Sequence, residues 1–307
     1  MHIQNYSATP LHTLYNWIPH GLKAEEIIFF PDACPGKSPL PTGTVVVTQQ
    51  EDWRKFAISD CGCGMLLAKS SLAASEFQAP VWDEIYHELA ANKGKLGDLG
   101  SGNHFLDALR SYEEDRLYFL IHTGSRKESN LVDHLVDQPQ RFDQTFASVC
   151  KWAEANRRAV LNIVEKHFGK VEVVLDKNHN HFEVQEDLVI IRKGASRLLP
   201  GELTVIPSHM IGDVVLVRGK TSVADVRNSM CHGTGRTMSR SAAKSYAQSY
   251  DYGEMRRKIY IPEMISDNSI KTDAPYCYRD LDDCLALVAD LVEEEKRFQP
   301  IAYMGQI

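Results

Sequence analysis

The sequence predicts an α+β fold: one compact domain over residues 1–307, with mixed β-sheets and flanking helices. Three observations predict it. Short β-like runs are scattered along the chain (44–47, 116–121, 171–175, 188–191, 203–206 and 214–217). The helical patterns are few and do not alternate with those runs, which argues against a doubly wound sheet. Hydrophobic residues make up 43% and charged residues 24% of 307 residues, the mix of a globular chain long enough for one large domain.

Each element has its own signal. In Leu117-Tyr118-Phe119-Leu120-Ile121 both faces are apolar, as in a strand buried on both sides. Residues 141–168 place Phe142, Phe146, Val149, Trp152, Ala153, Val160, Ile163 and Val164 on one stripe at three- and four-residue steps, which predicts an amphipathic helix. Residues 280–297 place Leu281, Cys284, Leu285, Val288 and Leu291 the same way, with Asp280, Asp282 and Asp283 at the positive N-terminal end. A shorter helix is expected over 81–92 and another after Gly235. Asp176-Lys177-Asn178-His179-Asn180-His181 reads as a polar hairpin between two strands.

No apolar run approaches the roughly 18 residues of a membrane helix, and Met1-His2-Ile3-Gln4-Asn5 has neither the basic flank nor the apolar core of a secretory signal. The expectation is a cytoplasmic protein with no membrane partner. Seven cysteines, an odd number, argue against a disulfide framework. The net charge of −7 excludes a chain that is basic all over, but the charge is segregated. From 190 to 244 nine Lys/Arg (Arg192, Lys193, Arg197, Arg218, Lys220, Arg227, Arg236, Arg240, Lys244) face three acids. From 251 to 300 seven Lys/Arg face twelve acids. The first stretch is a candidate polyanion-binding surface.

Of twelve histidines, His104, His122, His179, His181 and His232 lie in segments rich in Gly, Ser, Asn or Asp. Asp60-Cys61-Gly62-Cys63-Gly64 can turn a carboxylate and a thiolate back onto one cation, and softness alone favours zinc there. The alternative is a tight turn with two buried thiols. Asp98-Leu99-Gly100-Ser101-Gly102-Asn103-His104 frees its backbone to approach a ligand and leads His104 into a strand. Ile121-His122-Thr123-Gly124-Ser125-Arg126 ends a buried strand with a histidine, hydroxyls and a phosphate-suited arginine. Cys231-His232-Gly233-Thr234-Gly235-Arg236 runs from a glycine turn toward a helix, whose N-terminus would favour a phosphate, with His232 at its mouth.

In this order, with Arg192-Lys193-Gly194-Ala195 and Met238-Ser239-Arg240, these segments resemble the RtcB family of RNA ligases, from about Asp60 to Tyr278. The resemblance implies a single RtcB-like domain around a central dinuclear metal site. It implies a GTP- and manganese-dependent enzyme joining RNA 3′-phosphate or 2′,3′-cyclic phosphate ends to 5′-hydroxyl ends. By the resemblance, Asp60, Cys63 and His104 hold one Mn2+, and Cys63, His122 and His179 the other, with Cys63 bridging ions roughly 3.5–4 Å apart. His232 is the catalytic nucleophile that takes GMP from GTP. Asn103, His104, Phe105, Leu106, Asp107, His179, Asn180, Pro207, Ser208, His209, Met210, His232, Gly233, Thr234, Gly235 and Tyr278 match the guanylate-binding segments, and the basic stretch 190–244 would carry the RNA.

The chain departs from the family in three places. Asp107 replaces a glutamate. Pro207-Ser208-His209-Met210-Ile211-Gly212 replaces Pro-Gly-Ser-Met-Gly. The tail Met304-Gly305-Gln306-Ile307 lacks the family's lysine. These changes touch guanine selectivity more than metal binding: weaker GTP binding is expected, restorable by Gly305→Lys or Gln306→Lys. The competing readings are a metal-dependent phosphohydrolase acting on RNA ends and a non-catalytic RNA-binding protein. Hydrolysis needs no guanylylated histidine, and a non-catalytic protein needs no metal ligands.

Overall fold

The computed structural model describes residues 1–36, 38–100, 102–305 and 307, with the backbone alone at Arg126. Ser101, the Arg126 side chain and Gln306, which the motifs and the tail drew attention to, lie outside the described residues.

Two sheets and a short ribbon make the β framework. The smaller sheet has the order β1 (His2–Asn5), β2 (Glu26–Cys34), β3 (Thr42–Thr48), β9 (Leu188–Lys193), β8 (Asn180–Gln185). Its β1–β2 pair is parallel and the rest are antiparallel. The larger sheet runs β11 (Leu203–Pro207), β12 (Val214–Gly219), β14 (Val292–Gly305), β5 (Phe105–Ser111), β6 (Leu117–Thr123), β4 (Gly64–Ser70), β7 (Val171–Asn178), and is antiparallel throughout. β10 (Ala195–Arg197) and β13 (Ser229–Cys231) form the ribbon.

Side-chain alternation puts two cores on the two faces of the larger sheet. Leu66, Ala68, Leu106, Phe119 and Ile121 pack against Trp82, Ile85 and Leu89 of helix Ala79–Ala91 and Val160, Leu161 and Val164 of helix Pro139–Phe168. On the other face Leu67, Leu109, Tyr118, Leu120 and Phe298 form a second cluster. The expected double burial of 117–121 is therefore met. Phe142, Phe146 and Val149, toward the N-terminal end of the same helix, pack instead on Ile27, Phe29, Val46 and Ile191 of the smaller sheet. One long helix spans both sheets. Among the described residues, no helix is long and apolar enough to cross a membrane.

Three sequence expectations are corrected. The 280–297 helix stops early: a helix covers Leu281–Leu287, capped by the Asp280 side chain, and β14 follows from Val292. Pairing with β12 on one side and β5 on the other satisfies the backbone of 292–305, and this outweighs the helical preference of Glu293-Glu294-Glu295-Lys296. The 176–181 hairpin is a sheet switch: β7 pairs with β4, β8 pairs with β9, and His179 alone separates them. The helix after Gly235 begins only at Arg240, with Ser239 as its cap, so 232–235 is loop and not a helix N-terminus.

As β14 is a central strand, Phe298→Ala, which empties a fully buried site against Tyr118, is expected to cost about 3–5 kcal/mol. Urea unfolding measures it; a loss below about 1 kcal/mol would contradict the placement of this strand.

Candidate metal centre and the adjoining cavity

The turn before β4 is bent into an unusual shape. Ser59 and Asp60 both have positive φ (81° and 51°), as does Gly62. For non-glycine residues this conformation costs on the order of 1–3 kcal/mol each and persists only when neighbours over-determine it. Here they do. Lys193 Nζ donates to the Ser59 carbonyl (2.8 Å), and the Asn180 side chain donates to the Asp60 carbonyl (2.9 Å). The Gly62 amide donates to the Asn180 carbonyl (2.8 Å), and the Cys61 amide to Ser129 Oγ (2.9 Å). Gly124 leaves room for the carboxylate: a Cβ there would lie 2.6 Å from Asp60 Oδ1.

This turn brings Asp60 and Cys63 against three histidines: His104, just before β5, His122, the penultimate residue of β6, and His179 at the sheet switch. Cys63 Sγ lies 3.3 Å from His122 Nε2 and 3.5 Å from His104 Nε2. His122 Nε2 is 3.3 Å from His179 Nε2, and Asp60 Oδ2 is 3.8 Å from His104 Nε2. The donors form two groups, Asp60–Cys63–His104 and Cys63–His122–His179, each with its atoms within 4.8 Å of one another. Each could hold a metal ion, and Cys63 belongs to both.

The electrostatics fit cations. Burial pushes the His122 and His179 pKa values well below the ordinary range, followed by the charges of His104 and His232 at His122 and of His232 and His122 at His179. Both rings are therefore held neutral, the form in which an imidazole can bind a cation. Burial alone would raise Asp60, but the His104 hydrogen bond and the nearby charges of His104 and Lys193 hold it below the carboxylate range. Burial, then Asp60, push the Cys63 thiol well up. A cation entering here must displace that proton.

Beside the cluster stands His232. Its Nδ1 lies 2.6 Å from Asp32 Oδ2 and 2.9 Å from the Gly194 carbonyl. Both partners are acceptors, so Nδ1 carries a proton, and neither of these bonds uses Nε2. The ring is 4.5 Å from that of His179, centroid to centroid. Asp32 is fully buried in β2. His232, His122 and His179 line one cavity of about 310 Å³.

The family model described as "tRNA-splicing ligase RtcB" matches residues 132–306, more than half of the chain. The chain belongs to the RtcB family. A tRNA-splicing ligase RtcB of Nanoarchaeum equitans is 28% identical, covering 68% of this chain and 59% of its own length. One of Methanopyrus kandleri is 25% identical, covering 71% of this chain and 31% of its own. The RNA-splicing ligase RtcB of Escherichia coli K12 is 26% identical, covering 66% and 59%. The chain thus spans between about a third and three fifths of the length of these relatives. The RtcB match includes His179, His232 and Tyr278 but begins after Asp60, Cys63, His104 and His122, whose convergence is a finding of the geometry.

Of the residues that RtcB resemblance assigns to guanylate, Asn103, Phe105, Asp107, His179, Asn180, Pro207, Ser208, His209, Met210, Gly233, Thr234, Gly235 and Tyr278 line the cavity with His232. His104 sits in the donor cluster. Leu106 does not face the cavity: it is fully buried in the core behind the larger sheet, because alternate residues of β5 point to opposite faces. The Asn180 amide is already engaged, with Oδ1 accepting from the Gly194 amide (2.8 Å) while Nδ2 holds Asp60. Asp107 is buried, its Oδ1 has no hydrogen-bond partner, and burial raises its pKa well above the carboxylate range. Cys61 packs in the apolar core, its pKa raised to about 11 by burial.

The basic stretch does not form one surface. Arg192 is buried and ion-paired with Glu183, and Arg218 pairs with Glu295. Among the described residues Lys193, Arg236 and Arg240 line the cavity, the two arginines beside Asp273. Gly305 cannot take a side chain: a Cβ would lie 2.9 Å from the His104 carbonyl and 2.3 Å from the Tyr303 hydroxyl. Gly305→Lys is therefore no route to the missing lysine. Sequence reading also missed Asp32, Asn156 and Arg157. Their signal was available, as each is a polar residue at a position that the apolar pattern assigns to the core.

Cys63→Ser is expected to lower divalent-metal affinity at both donor groups by at least tenfold, and Cys61→Ser to leave it within threefold. Elemental analysis of dialysed protein decides; the reverse order would refute the shared thiolate. A second expectation concerns acid stability. Burial lowers His209 to about 4 from its ordinary 6.5. A neutral-only histidine stabilises the fold above pH 6.5, and that contribution is lost as pH falls toward 4. Between pH 7 and 4.5 His209→Gln should remove about 2–3 kcal/mol of the acid-induced loss. Identical urea midpoints at both pH values for mutant and wild type would contradict it.

Proposed function

We propose that this chain is a GTP- and manganese-dependent RNA ligase, joining RNA 3′-phosphate or 2′,3′-cyclic phosphate ends to 5′-hydroxyl ends through guanylylated His232. Residues 1–307 are read as one RtcB-like domain acting in the cytoplasm. The observation that carries the reading is His232 itself, with Nδ1 fixed by Asp32 and two convergent donor groups beside it, of which Asp60, Cys63, His122 and His179 line the same cavity.

The residues account for each step. Asp32 orients the ring and balances the positive charge that develops on it. Nε2 attacks the α-phosphorus of GTP, the new N–P bond replaces the bond to pyrophosphate, and pyrophosphate leaves. GMP passes from His232 to an oxygen of the RNA 3′-phosphate, which frees the imidazole. The 5′-hydroxyl oxygen then attacks that phosphorus, loses its proton, and GMP departs. A cyclic phosphate is first opened by water to the 3′-phosphate and a 2′-hydroxyl. Asp60, Cys63, His104, His122 and His179 would hold two manganese ions, which when bound neutralise phosphate charge. Asn103, Asp107, Ser208, His209, Thr234 and Tyr278 would surround the guanylate, and Arg236, Arg240 and Lys193 would meet phosphates.

Incubation with α-labelled GTP and Mn2+ should give an acid-labile protein adduct. His232→Ala should bind metal normally and give none. Asp32→Asn should keep Nε2 in place but slow adduct formation by about 10²–10⁴-fold. A normal yield of adduct in His232→Ala would end the proposal. Wild type that opens cyclic phosphates without any adduct would favour the hydrolase reading.

A further inference from the structure

Arg157 leaves the middle of helix Pro139–Phe168 and is 1% exposed. A buried guanidinium is costly unless paired and hydrogen-bonded, and an apolar residue of similar volume often serves stability as well. Its hydrogen bonds indicate what it is for. Nη1 donates to the Gly62 carbonyl (3.0 Å) and the Thr123 carbonyl (3.3 Å). Nη2 donates to Asn178 Oδ1 (2.6 Å), and Nε to Asp176 Oδ1 (2.6 Å). Gly62 precedes Cys63, Thr123 follows His122 and Asn178 precedes His179. Every ligand of one donor group is thus one residue away from an atom this guanidinium holds. None of these bonds reaches a neighbour of Asp60 or His104. The planar fork spans three chain segments at once, which an ammonium cannot do. Gly64 makes room for it: a Cβ there would lie 2.9 Å from Nη1. The pairing with Asp176 offsets the positive charge that the guanidinium would otherwise turn toward the ions.

We propose that Arg157 is the positioning residue of the Cys63–His122–His179 donor group, so that the ion site built by that group depends on it and the Asp60–Cys63–His104 site depends on it far less. The proposal rests on the metal reading of the two groups.

The test is a Co2+ titration of the full chain, read by thiolate-to-cobalt and ligand-field absorption. Wild type should take up two ions in two steps, one removed by His179→Ala and the other by His104→Ala. Arg157→Lys and Arg157→Met should each weaken the His179-dependent step by roughly ten- to a hundredfold, leaving the His104-dependent step within about threefold. A general loss of structure would move both steps together. If Arg157→Met does not fold, Asn178→Ala removes the tie nearest His179 and should weaken the same step. Steps unchanged in the Arg157 variants, or weakened equally, would overturn the assignment. A wild type that binds no Co2+ would instead refute the metal reading of the groups, and Arg157's role would fall with it.

Discussion

The site depends on one crossing. At His179 the chain leaves the larger sheet and enters the smaller one, and hydrogen bonds lock that step from both sides. The His179 amide donates to the Cys63 carbonyl (2.8 Å), and its own carbonyl accepts from Ala195 (2.9 Å). Ala195 pairs with Cys231 in the ribbon, directly before His232. The next residue, Asn180, ties the Asp60 carbonyl to the Gly194 amide. The turn from Asp60 to Cys63, the crossing and the His232 loop are therefore one hydrogen-bonded unit. A buried switch between sheets leaves backbone groups that must find partners, and here the partners are the segments that carry the chemistry.

The charges follow from that crowding. Four imidazoles in a chain of short contacts (His104 to His122, His122 to His179, His179 to His232) cannot all be protonated out of water. His122 and His179 are held neutral mainly by burial, which is the ligand form. His232 is distinguished by Asp32, which lies in a strand where the surrounding side chains are apolar and the second oxygen finds no partner. A Cβ at Gly43 would meet that oxygen at 2.4 Å, so close packing and not solvent determines where the carboxylate sits.

Much of the site was legible because its residues cluster locally. Asp60 to Cys63, His104 and His122 announce themselves through glycines and polar neighbours, and those glycines do take positive φ at Gly62, Gly100 and Gly102. What stayed hidden acts across long separations. Asp32 meets His232 from 200 residues away, and Asn156 and Arg157 reach from one helix to the glycine loop at 97–98 and to the turn at Gly62. Periodicity shows only that these positions face inward. The helix over 280–297 failed for a related reason: its apolar spacing was real, but strand pairing on both sides of β14 decided the outcome.

The two halves of the site also differ in how freely they can change. The five converging donors sit at or near strand ends, and the backbone around Asp60 and Cys63 is held by buried or half-buried side chains from other segments, Lys193, Asn180, Ser129 and Arg157. Part of the rest of the cavity wall comes from the segments 207–210 and 232–235. There Ser208 Oγ bonds the Asp213 carbonyl (2.8 Å), and the Thr234 amide donates to the Pro207 carbonyl (3.2 Å). A turn closed on itself tolerates exchange of its side chains as long as its backbone bonds survive. Of the positions where the resemblance implies a departure, Ser208 and His209 lie in such a turn, Asp107 on the cavity wall in β5, and Gly305 at the end of β14. At the donor cluster several chain segments must agree on one point in space, and that point is occupied by Cys63, the donor common to both groups.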